Sequence, residues 1–282
     1  MTYREKYFEL KNQTNKYLNN TAIKTILMDD GGFADFTQLI KNFDSEIKNL
    51  DKLNDNVKRV SEGEPLQYVL GYAYFVNSNY FVDENVLIPR QETEELAVYT
   101  MTQIVKQFGR DAAITILDVG TGSGILAIYL KEYFPNSKVI ATDISEKCLQ
   151  IARKNAENHK VSIDFRLGDM LEPIKEKVDV IISNPPYIGS PESVDPQTLK
   201  YEPHLALFAE PKTKYYEIML SHLDIMKKKF FIAFEIGEDM EEELTEILER
   251  DYKGIGYKFM TDIYGKTRFL YIVRDNWKIY EA

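Results

Sequence analysis

The sequence predicts an α/β protein, with a largely parallel, doubly wound sheet preceded by a small helical domain. From Ile114 onward, short apolar segments rich in β-branched residues alternate with segments whose apolar residues recur at helical spacing. Such alternation is typical of parallel strands joined by right-handed crossovers. Residues 2–60, in contrast, show helical spacing alone. The two regions therefore predict two structural classes within one chain.

The N-terminal region is expected to form several short helices. Its apolar residues recur at helical spacing, for example at Tyr7 and Leu10, and turn signals at 19–20, 29–32 and 43–45 interrupt the pattern. Two roles stay open for this domain: it stabilises the rest of the chain as a cap, or it recognises a partner.

A β-hairpin is expected to link the two regions. Aromatic, β-rich runs at 72–76 and 80–82 flank the polar residues 77–79. The predicted boundaries are a helical domain at 1–70, a hairpin linker at 71–90 and an α/β domain at 91–282.

The α/β domain is expected to open with a helix that starts at Glu92 or Thr93 and ends near Phe108, with acidic residues favourable in its first turn. The further predicted strands are 114–119, 138–143, 162–167, 178–183, 230–235, 257–261 and 268–274, and the further predicted helices lie near 123–134, 145–158, 214–227 and 238–250. The last two strands form a hairpin that adds an antiparallel strand. Ligands of such sheets bind at the carboxyl ends of the strands.

The composition argues against a nucleic-acid-binding protein, a membrane protein and a metalloprotein. A net charge of −10 argues against tight, sequence-independent binding of nucleic acid, which needs basic clusters. No apolar run approaches the ~20 residues of a membrane span, and the N-terminus lacks a signal-peptide core, so we expect a cytoplasmic protein. The single cysteine, Cys148, is expected to pack in a helix. The three histidines have no partner at ligand spacing, so no metal site is expected.

The stretch Val178–Ile188 carries the most specific chemical signal. A buried strand ends at Asn184-Pro185-Pro186-Tyr187, and prolines stiffen the turn without adding N–H groups. The Asn184 side-chain oxygen and the Pro185 carbonyl can accept the two hydrogens of a planar –NH2 group, and Tyr187 offers a ring face to a flat substrate. This arrangement predicts methyl transfer from a sulfonium to an amide or aryl amine nitrogen. The alternative is a turn that only ends a strand.

Three other strand ends predict a cofactor site. Gly120-Thr121-Gly122-Ser123-Gly124 leads into a helix, and its G-x-G-x-G spacing fits S-adenosylmethionine rather than a dinucleotide pyrophosphate. Asp143 is expected to accept from ribose hydroxyls. Asp169 and Met170 are expected to meet the adenine, and Asp118 to orient the loop or the methionine amino group. Arg90 is expected to face the cofactor or to form a surface ion pair. As an isolated residue, each of these aspartates could equally be the N-cap of a helix or part of a loop turn.

These segments resemble a known family, the HemK/PrmC protein-(glutamine) methyltransferases. The resemblance rests on GEPLQYVLG (63–71), LIPRQETEEL (87–96), LDVGTGSG (117–124), SNPPYI (183–188) and YEPHLALFA (201–209). It implies a Rossmann-like class I S-adenosylmethionine-dependent methyltransferase fold and methylation of the glutamine in the Gly-Gly-Gln motif of peptide chain release factors, which modulates translation termination. It also implies that the helical domain grips the release factor.

By position, the resemblance puts S-adenosylmethionine on residues 120–124, Asp143, Met170 and Asn184, and the glutamine amide on residues 184–187. Tyr201-Glu202-Pro203 would belong to a long loop that closes over the site. Two departures stand out: Gln91 replaces a second proline, and residues 210–214 contain less glycine than expected. The first puts the wall near Arg90 in doubt, and the second the geometry of the loop.

We expect a one-step, in-line transfer by a monomer. The leading rival is an adenine-N6 nucleic-acid methyltransferase, because the adenine amine is also planar and conjugated. Such an enzyme usually flips the base and carries a basic surface, which the acidic composition disfavours. A rival of another class is an adaptor that binds a partner without turnover.

Overall fold

The computed structural model describes residues 1–274 and 279 of the 282-residue chain. The last residues of the predicted α/β domain, apart from 279, lie outside the described part. The chain divides into two compact units: residues 1–72 with 196–201, and residues 73–195 with those from Glu202 onward. Each unit is described by itself.

The first unit is helical, as the sequence predicts. Within residues 1–72 the helices are α1 (Tyr3–Lys11), α2 (Asn20–Gly31), α3 (Phe36–Lys41), α4 (Leu50–Ser61) and α5 (Leu66–Leu70). Side chains of Thr2, Asn19, Asp35 and Asn49 accept backbone N–H groups at the starts of α1 to α4. These caps satisfy donors that have no partner inside the helix, which explains where each helix begins.

A segment from much later in the chain completes the first unit. Helix α9 (Pro196–Tyr201) belongs to it, and the Gln197 side-chain amide donates to the Gly63 carbonyl oxygen over 3.0 Å. The helical periodicity of residues 2–60 gave no sign of this addition.

The hairpin consists of β1 (Tyr72–Phe75) and β2 (Ser78–Phe81). Its turn is Val76-Asn77, with φ of 36° and 68° at these residues. The predicted three-residue gap at 77–79 is therefore wrong, because Ser78 and Asn79 already belong to the second strand. A two-residue turn with positive φ matches the twist of the flanking strands, which shortens the gap.

The second unit is built on a sheet that has seven strands within the described residues. These are β3 (Thr115–Val119), β4 (Lys138–Asp143), β5 (Asp164–Leu167), β6 (Val178–Ser183), β7 (Met226–Glu235), β8 (Gly256–Thr261) and β9 (Thr267–Val273). Their order is β5-β4-β3-β6-β7-β9-β8. Strands β3 to β7 are parallel, and β9 pairs antiparallel with both β7 and β8. The predicted fold class is confirmed.

Helices cover both faces of this sheet: α6 (Gln91–Phe108), α7 (Ile125–Tyr133), α8 (Glu146–Asn158), α10 (Lys214–Ser221) and α11 (Glu241–Asp251). Val180 and Ile182 pack in one apolar cluster, whereas Ile181 packs in the other. This alternation explains why most positions of the central strands β3 and β6 are apolar on both faces; the buried carboxyls of Asp118 and Asp179 are exceptions, and both accept hydrogen bonds. Because the chain order reverses between β3 and β6, their carboxyl ends border the crevice where such sheets bind ligands.

Two neighbouring boundaries predicted from the sequence are wrong. The helix expected near 214–227 ends at Ser221, and β7 begins at Met226 rather than at Phe230. Lys227, Lys228 and Lys229 are exposed at the start of β7, and a lysine run carries no strand periodicity. Lys227 lies 2.7 Å from Asp179 of β6, an ion pair that accompanies the early start of the strand.

Within the described residues, no helix is long and apolar enough to cross a membrane.

Candidate active site

A cavity of about 320 Å³ opens at the carboxyl ends of β3, β4 and β6. Its wall brings together ten of the residues predicted from the sequence: Arg90, Gly120, Thr121, Gly122, Ser123, Asp143, Asp169, Met170, Asn184 and Pro186. Its volume is that of a small-molecule site. Predicted residues that lie far apart in the chain therefore share one cavity.

The loop between β3 and α7 forms one side of this cavity. Gly120 and Gly122 have φ of 71° and 54°, a backbone region that favours glycine. The N–H groups of Gly120 and Thr121 both donate to the Thr142 carbonyl oxygen over 2.9 Å. A further N–H group, that of Gly122, donates to Asp143. The loop is thus held by the end of β4.

Asp118 holds the glycine loop through hydrogen bonds from its side chain. Its Oδ2 accepts from the Thr121 hydroxyl over 2.6 Å and from the Ala127 N–H over 3.1 Å. The carboxyl is fully buried, and burial raises its pKa to about 7. Of the two predicted roles of Asp118, these contacts favour orientation of the loop.

Asp143 joins two loops at the cavity. Its Oδ2 accepts from the Gly122 N–H and its Oδ1 from the Ser145 N–H, each over 2.9 Å. Burial raises the pKa of Asp143, and the backbone N–H bonds oppose that rise. The Cys148 side chain and the Ile144 N–H also hydrogen-bond to this carboxyl and oppose the rise of its pKa. The predicted contact of Asp143 with ribose hydroxyls stays a prediction.

Asp169 and Met170 line the wall that follows β5. Met170 has a φ of 44°, and its carbonyl oxygen accepts from the Thr142 hydroxyl over 2.9 Å. That hydrogen bond ties the Met170 backbone to β4, beside the glycine loop.

The Asn184 side chain is held by a chain of hydrogen bonds. Its Nδ2 donates to the Thr93 Oγ1 over 3.0 Å, and the Thr93 hydroxyl donates to the Glu235 Oε2 over 2.7 Å. Tyr187 donates its hydroxyl to the other oxygen of Glu235 over 3.3 Å. Glu235 is buried, which raises its pKa to about 7.

Besides Asp118, three predicted residues lie outside the cavity wall: Gly124, Pro185 and Tyr187. Gly124 precedes α7 and approaches Ala152, and Pro185 is buried. Tyr187 packs against the apolar cluster that contains Ile181. Their predicted contacts with ligands stay predictions.

Several residues of the wall were not predicted as site residues. Cys148, expected to pack only, lines the cavity, and burial raises the pKa of its thiol to about 11, which keeps it protonated. Thr93, predicted as the start of a helix, also lines the cavity. Pro203, Leu205 and Ala206 place part of the predicted long loop in the wall.

Arg90 both lines the cavity and forms an ion pair. Its partner is Glu202, which is buried and also accepts from the Ile88 N–H over 3.0 Å. Arg90 does form an ion pair, but its acidic partner is buried and the pair is not a surface one, whereas the predicted contact of Arg90 with the cofactor stays a prediction. Glu202 ties the segment before α6 to the loop that contributes Pro203. Within residues 1–274 and 279, no group of three histidine, cysteine or acidic residues could hold a metal ion.

Three features define a methyltransferase of the Rossmann-like class: a glycine loop after the first parallel strand, an acid at the end of the second, and Asn-Pro-Pro-Tyr after the fourth. In agreement, the family described as methyltransferase small domain matches residues 100–219. A solved 16S rRNA N2 G1207 methyltransferase from T. thermophilus, in complex with AdoMet and guanosine, has a similar fold, with a TM-score of 0.51 and 13% identity; the match covers 72% of this chain and 50% of that one.

Two curated relatives identify the family. The release factor glutamine methyltransferase of Staphylococcus aureus (strain NCTC 8325 / PS 47) is 40% identical over 221 residues, which are 76% of this chain and 77% of the relative. That of Enterococcus faecalis (strain ATCC 700802 / V583) is 34% identical over 276 residues, 94% of this chain and 98% of the relative. The chain belongs to the release factor glutamine methyltransferase family, and the resemblance seen in its motifs is confirmed.

Proposed function

We propose that this chain transfers a methyl group from S-adenosylmethionine to the side-chain amide nitrogen of the glutamine in the Gly-Gly-Gln motif of peptide chain release factors. The observation that carries the proposal is the position of Asn184. Its side chain lines the same cavity as the glycine loop, and its Nδ2 is already engaged by Thr93. The Asn184 oxygen is the part of the side chain that remains for a substrate N–H.

The residues of the cavity fit S-adenosylmethionine. A Cβ added at Gly120 or Gly122 would meet no atom of the described residues within 4 Å, so open space lies over the loop backbone. We assign the methionine end to this loop, the ribose hydroxyls to Asp143, and the adenine to Asp169 and Met170. When bound, S-adenosylmethionine supplies an electrophilic methyl group on a sulfonium.

The chain itself contributes orientation. In the proposed reaction, Asn184 Oδ1 and the Pro185 carbonyl oxygen accept the two N–H groups of the glutamine amide, which turns the nitrogen lone pair toward the methyl group. A nitrogen–carbon bond forms as the sulfur–carbon bond breaks. The methylated amide then loses a proton to water, so no side chain has to act as a strong base.

The proposal predicts a specific pattern of methylation. Labelled S-adenosylmethionine would be incubated with a release factor, with the same factor carrying a replaced motif glutamine, and with duplex DNA. We expect label on the intact factor alone. Label on DNA would instead establish the adenine methyltransferase, and cofactor binding without any label would establish the adaptor.

Asn184→Ala tests the role of the motif directly. We expect it to abolish turnover, because the glutamine amide loses an acceptor, while binding of S-adenosylhomocysteine is weakened but measurable by calorimetry. Near-normal methylation by this variant would contradict the assignment of Asn184.

The partner and place of action follow from this substrate. The helical N-terminal unit would grip the release factor, and the chain would act as a monomer in the cytoplasm, where release factors work. Its net charge of −10 argues against stable binding of nucleic acid.

A further inference from the structure

Two buried residues outside the Asn-Pro-Pro-Tyr motif, Thr93 and Glu235, hold the Asn184 side chain through hydrogen bonds. Thr93 lies in the first turn of α6 and Glu235 is the last residue of β7, and their side chains are 3% and 2% exposed. The register of the sheet pairs Ser183 with Phe234, so Glu235 ends its strand beside Asn184. Thr93 and Glu235 therefore form a chain of hydrogen bonds that ends at the side chain proposed to receive the substrate amide.

The direction of the hydrogen bonds decides which end of Asn184 faces the cavity. An ionised Glu235 only accepts, so the single proton of the Thr93 hydroxyl points to Glu235. Thr93 Oγ1 can then only accept from Asn184. The Asn184 amide must present its Nδ2 to Thr93, which leaves its Oδ1 for another donor.

Packing alone cannot make this choice, because the oxygen and the NH2 group of an amide have nearly the same shape. In the reversed orientation, Asn184 Oδ1 would face an oxygen that has no proton left to donate, and its NH2 group would face the substrate NH2 group. Leaving buried polar groups unpaired disfavours that orientation by about 10- to 100-fold.

We infer that Thr93 and Glu235 are positioning residues that fix the side-chain amide of Asn184 with its oxygen toward the glutamine amide. The inference rests on the proposed function and adds to it: Asn184 is catalytically competent in only one of two orientations, and a relay from β7 through α6 selects that orientation.

Because the relay requires an ionised Glu235, we expect kcat to fall as the pH decreases. Burial raises the pKa of Glu235 to about 7, so the ionised form is lost as the pH falls through this value. A protonated Glu235 can donate its proton to Thr93 Oγ1. The Thr93 hydroxyl is then free to donate to Asn184, so the orientation of the Asn184 amide is no longer fixed. The titratable and charged groups around Glu235 are Glu92, Tyr187, Tyr216, Arg268 and, from β9, Tyr271. Glu92 raises the pKa of Glu235, whereas Arg268 and the hydrogen bonds from Thr93 and Tyr187 lower it.

Thr93→Val and Thr100→Val form a matched pair of variants. Both replace a buried threonine of α6 by an isostere without a hydroxyl. The Thr100 hydroxyl has no hydrogen-bond partner among the described residues. We expect Thr93→Val to lower kcat by about tenfold or more, with the Kd for S-adenosylhomocysteine changed less than about threefold. Thr100→Val should behave like the unmodified protein, and Thr93→Ser should recover most of the lost kcat.

The pH profile separates positioning from a structural effect. The acid limb of kcat near pH 7 should weaken in Thr93→Val and persist in Thr100→Val. A limb that is the same in both would come from other groups, such as Asp118, and would contradict the relay. Equal kcat in the two valine variants would overturn it as well.

A measurement without substrate keeps the inference separate from the proposed function. In nitrogen-15 NMR spectra of the full chain, the Asn184 side-chain NH2 resonances, assigned by their loss in Asn184→Ala, should exchange slowly with water and shift as the pH passes 7. Thr93→Val should remove both properties. If they are absent from the unmodified protein, the relay is wrong even where glutamine is methylated; if they are present and glutamine is not methylated, the proposed function alone fails.

Discussion

Asp143→Asn offers the sharpest test of the assigned cofactor position. Asp143 uses one oxygen for the Ser145 N–H and the other for the Gly122 N–H. An asparagine has only one side-chain oxygen, so one of these backbone N–H groups would face an NH2 group instead. The substitution therefore disturbs the glycine loop and removes an acceptor for ribose hydroxyls without changing the size of the side chain.

The expected magnitude follows from these contacts. Leaving a fully buried backbone donor unpaired costs about 1–3 kcal/mol of folding free energy. The Gly122 and Ser145 N–H groups are part-buried, so the loss of unfolding free energy should lie at or below the lower end of that range. A hydrogen bond to a charged group contributes about 1.5–3 kcal/mol, so the Kd for S-adenosylhomocysteine should rise by about 10- to 150-fold. Both losses concern the state in which Asp143 is ionised, and they should be measured above the raised pKa of this carboxyl.

Asp179→Asn is the matched control. Asp179 is also buried in the sheet, at β6, and its Oδ2 alone accepts from the Thr115 N–H and the Lys227 ammonium. An asparagine oxygen can keep both contacts, and Asp179 does not line the cavity. Calorimetry with S-adenosylhomocysteine and chemical unfolding would be run on both variants. Unchanged affinity in Asp143→Asn, or an equal loss in Asp179→Asn, would refute the assignment.

Further predictions concern the glycine loop and the wall of the cavity. Gly124→Ala should lower the free energy of unfolding by about 2–5 kcal/mol, because its φ is 84° and the new Cβ would lie 3.0 Å from that of Ala152. Gly122→Ala should cost only the backbone strain of about 1–2 kcal/mol but should weaken cofactor binding; equal unfolding energies would contradict this contrast. Glu202→Gln should weaken the ion pair with Arg90, speed limited proteolysis after residue 202 and raise the Kd for S-adenosylhomocysteine; unchanged proteolysis would count against a role in holding the wall.

Local periodicity was sufficient to predict the fold class. The central strands are short segments of mostly apolar residues, and the segments between them repeat at helical spacing, so the alternation was visible in the sequence. The start of β7 was not, because Lys227–Lys229 suit a helix as well as an exposed strand end. The strand order was likewise invisible, since nothing in β9 shows that it lies between β7 and β8.

The site was predictable where its residues form short motifs. The loop at 120–124 and Asn184 each follow a strand, and Asp143 ends one, so the sequence alone brings them to one edge of the sheet. Thr93 and Glu235 are 142 residues apart, and Arg90 and Glu202 are 112 apart. Such pairs depend on the order and register of strands, which local patterns do not determine.

The chain passes from the second unit into the first at Pro196 and returns at Glu202. No single cut can therefore separate the two units, since a fragment that begins at Ala73 keeps α9 but loses the helices with which it folds. In such a fragment, α9 would lack its packing partners, and α9 ends one residue before Glu202, the buried partner of Arg90 in the ion pair. Recombining family members by exchanging the first 72 residues alone would pair α9 with a foreign helical unit, and a working chimaera would have to carry residues 196–201 along with them.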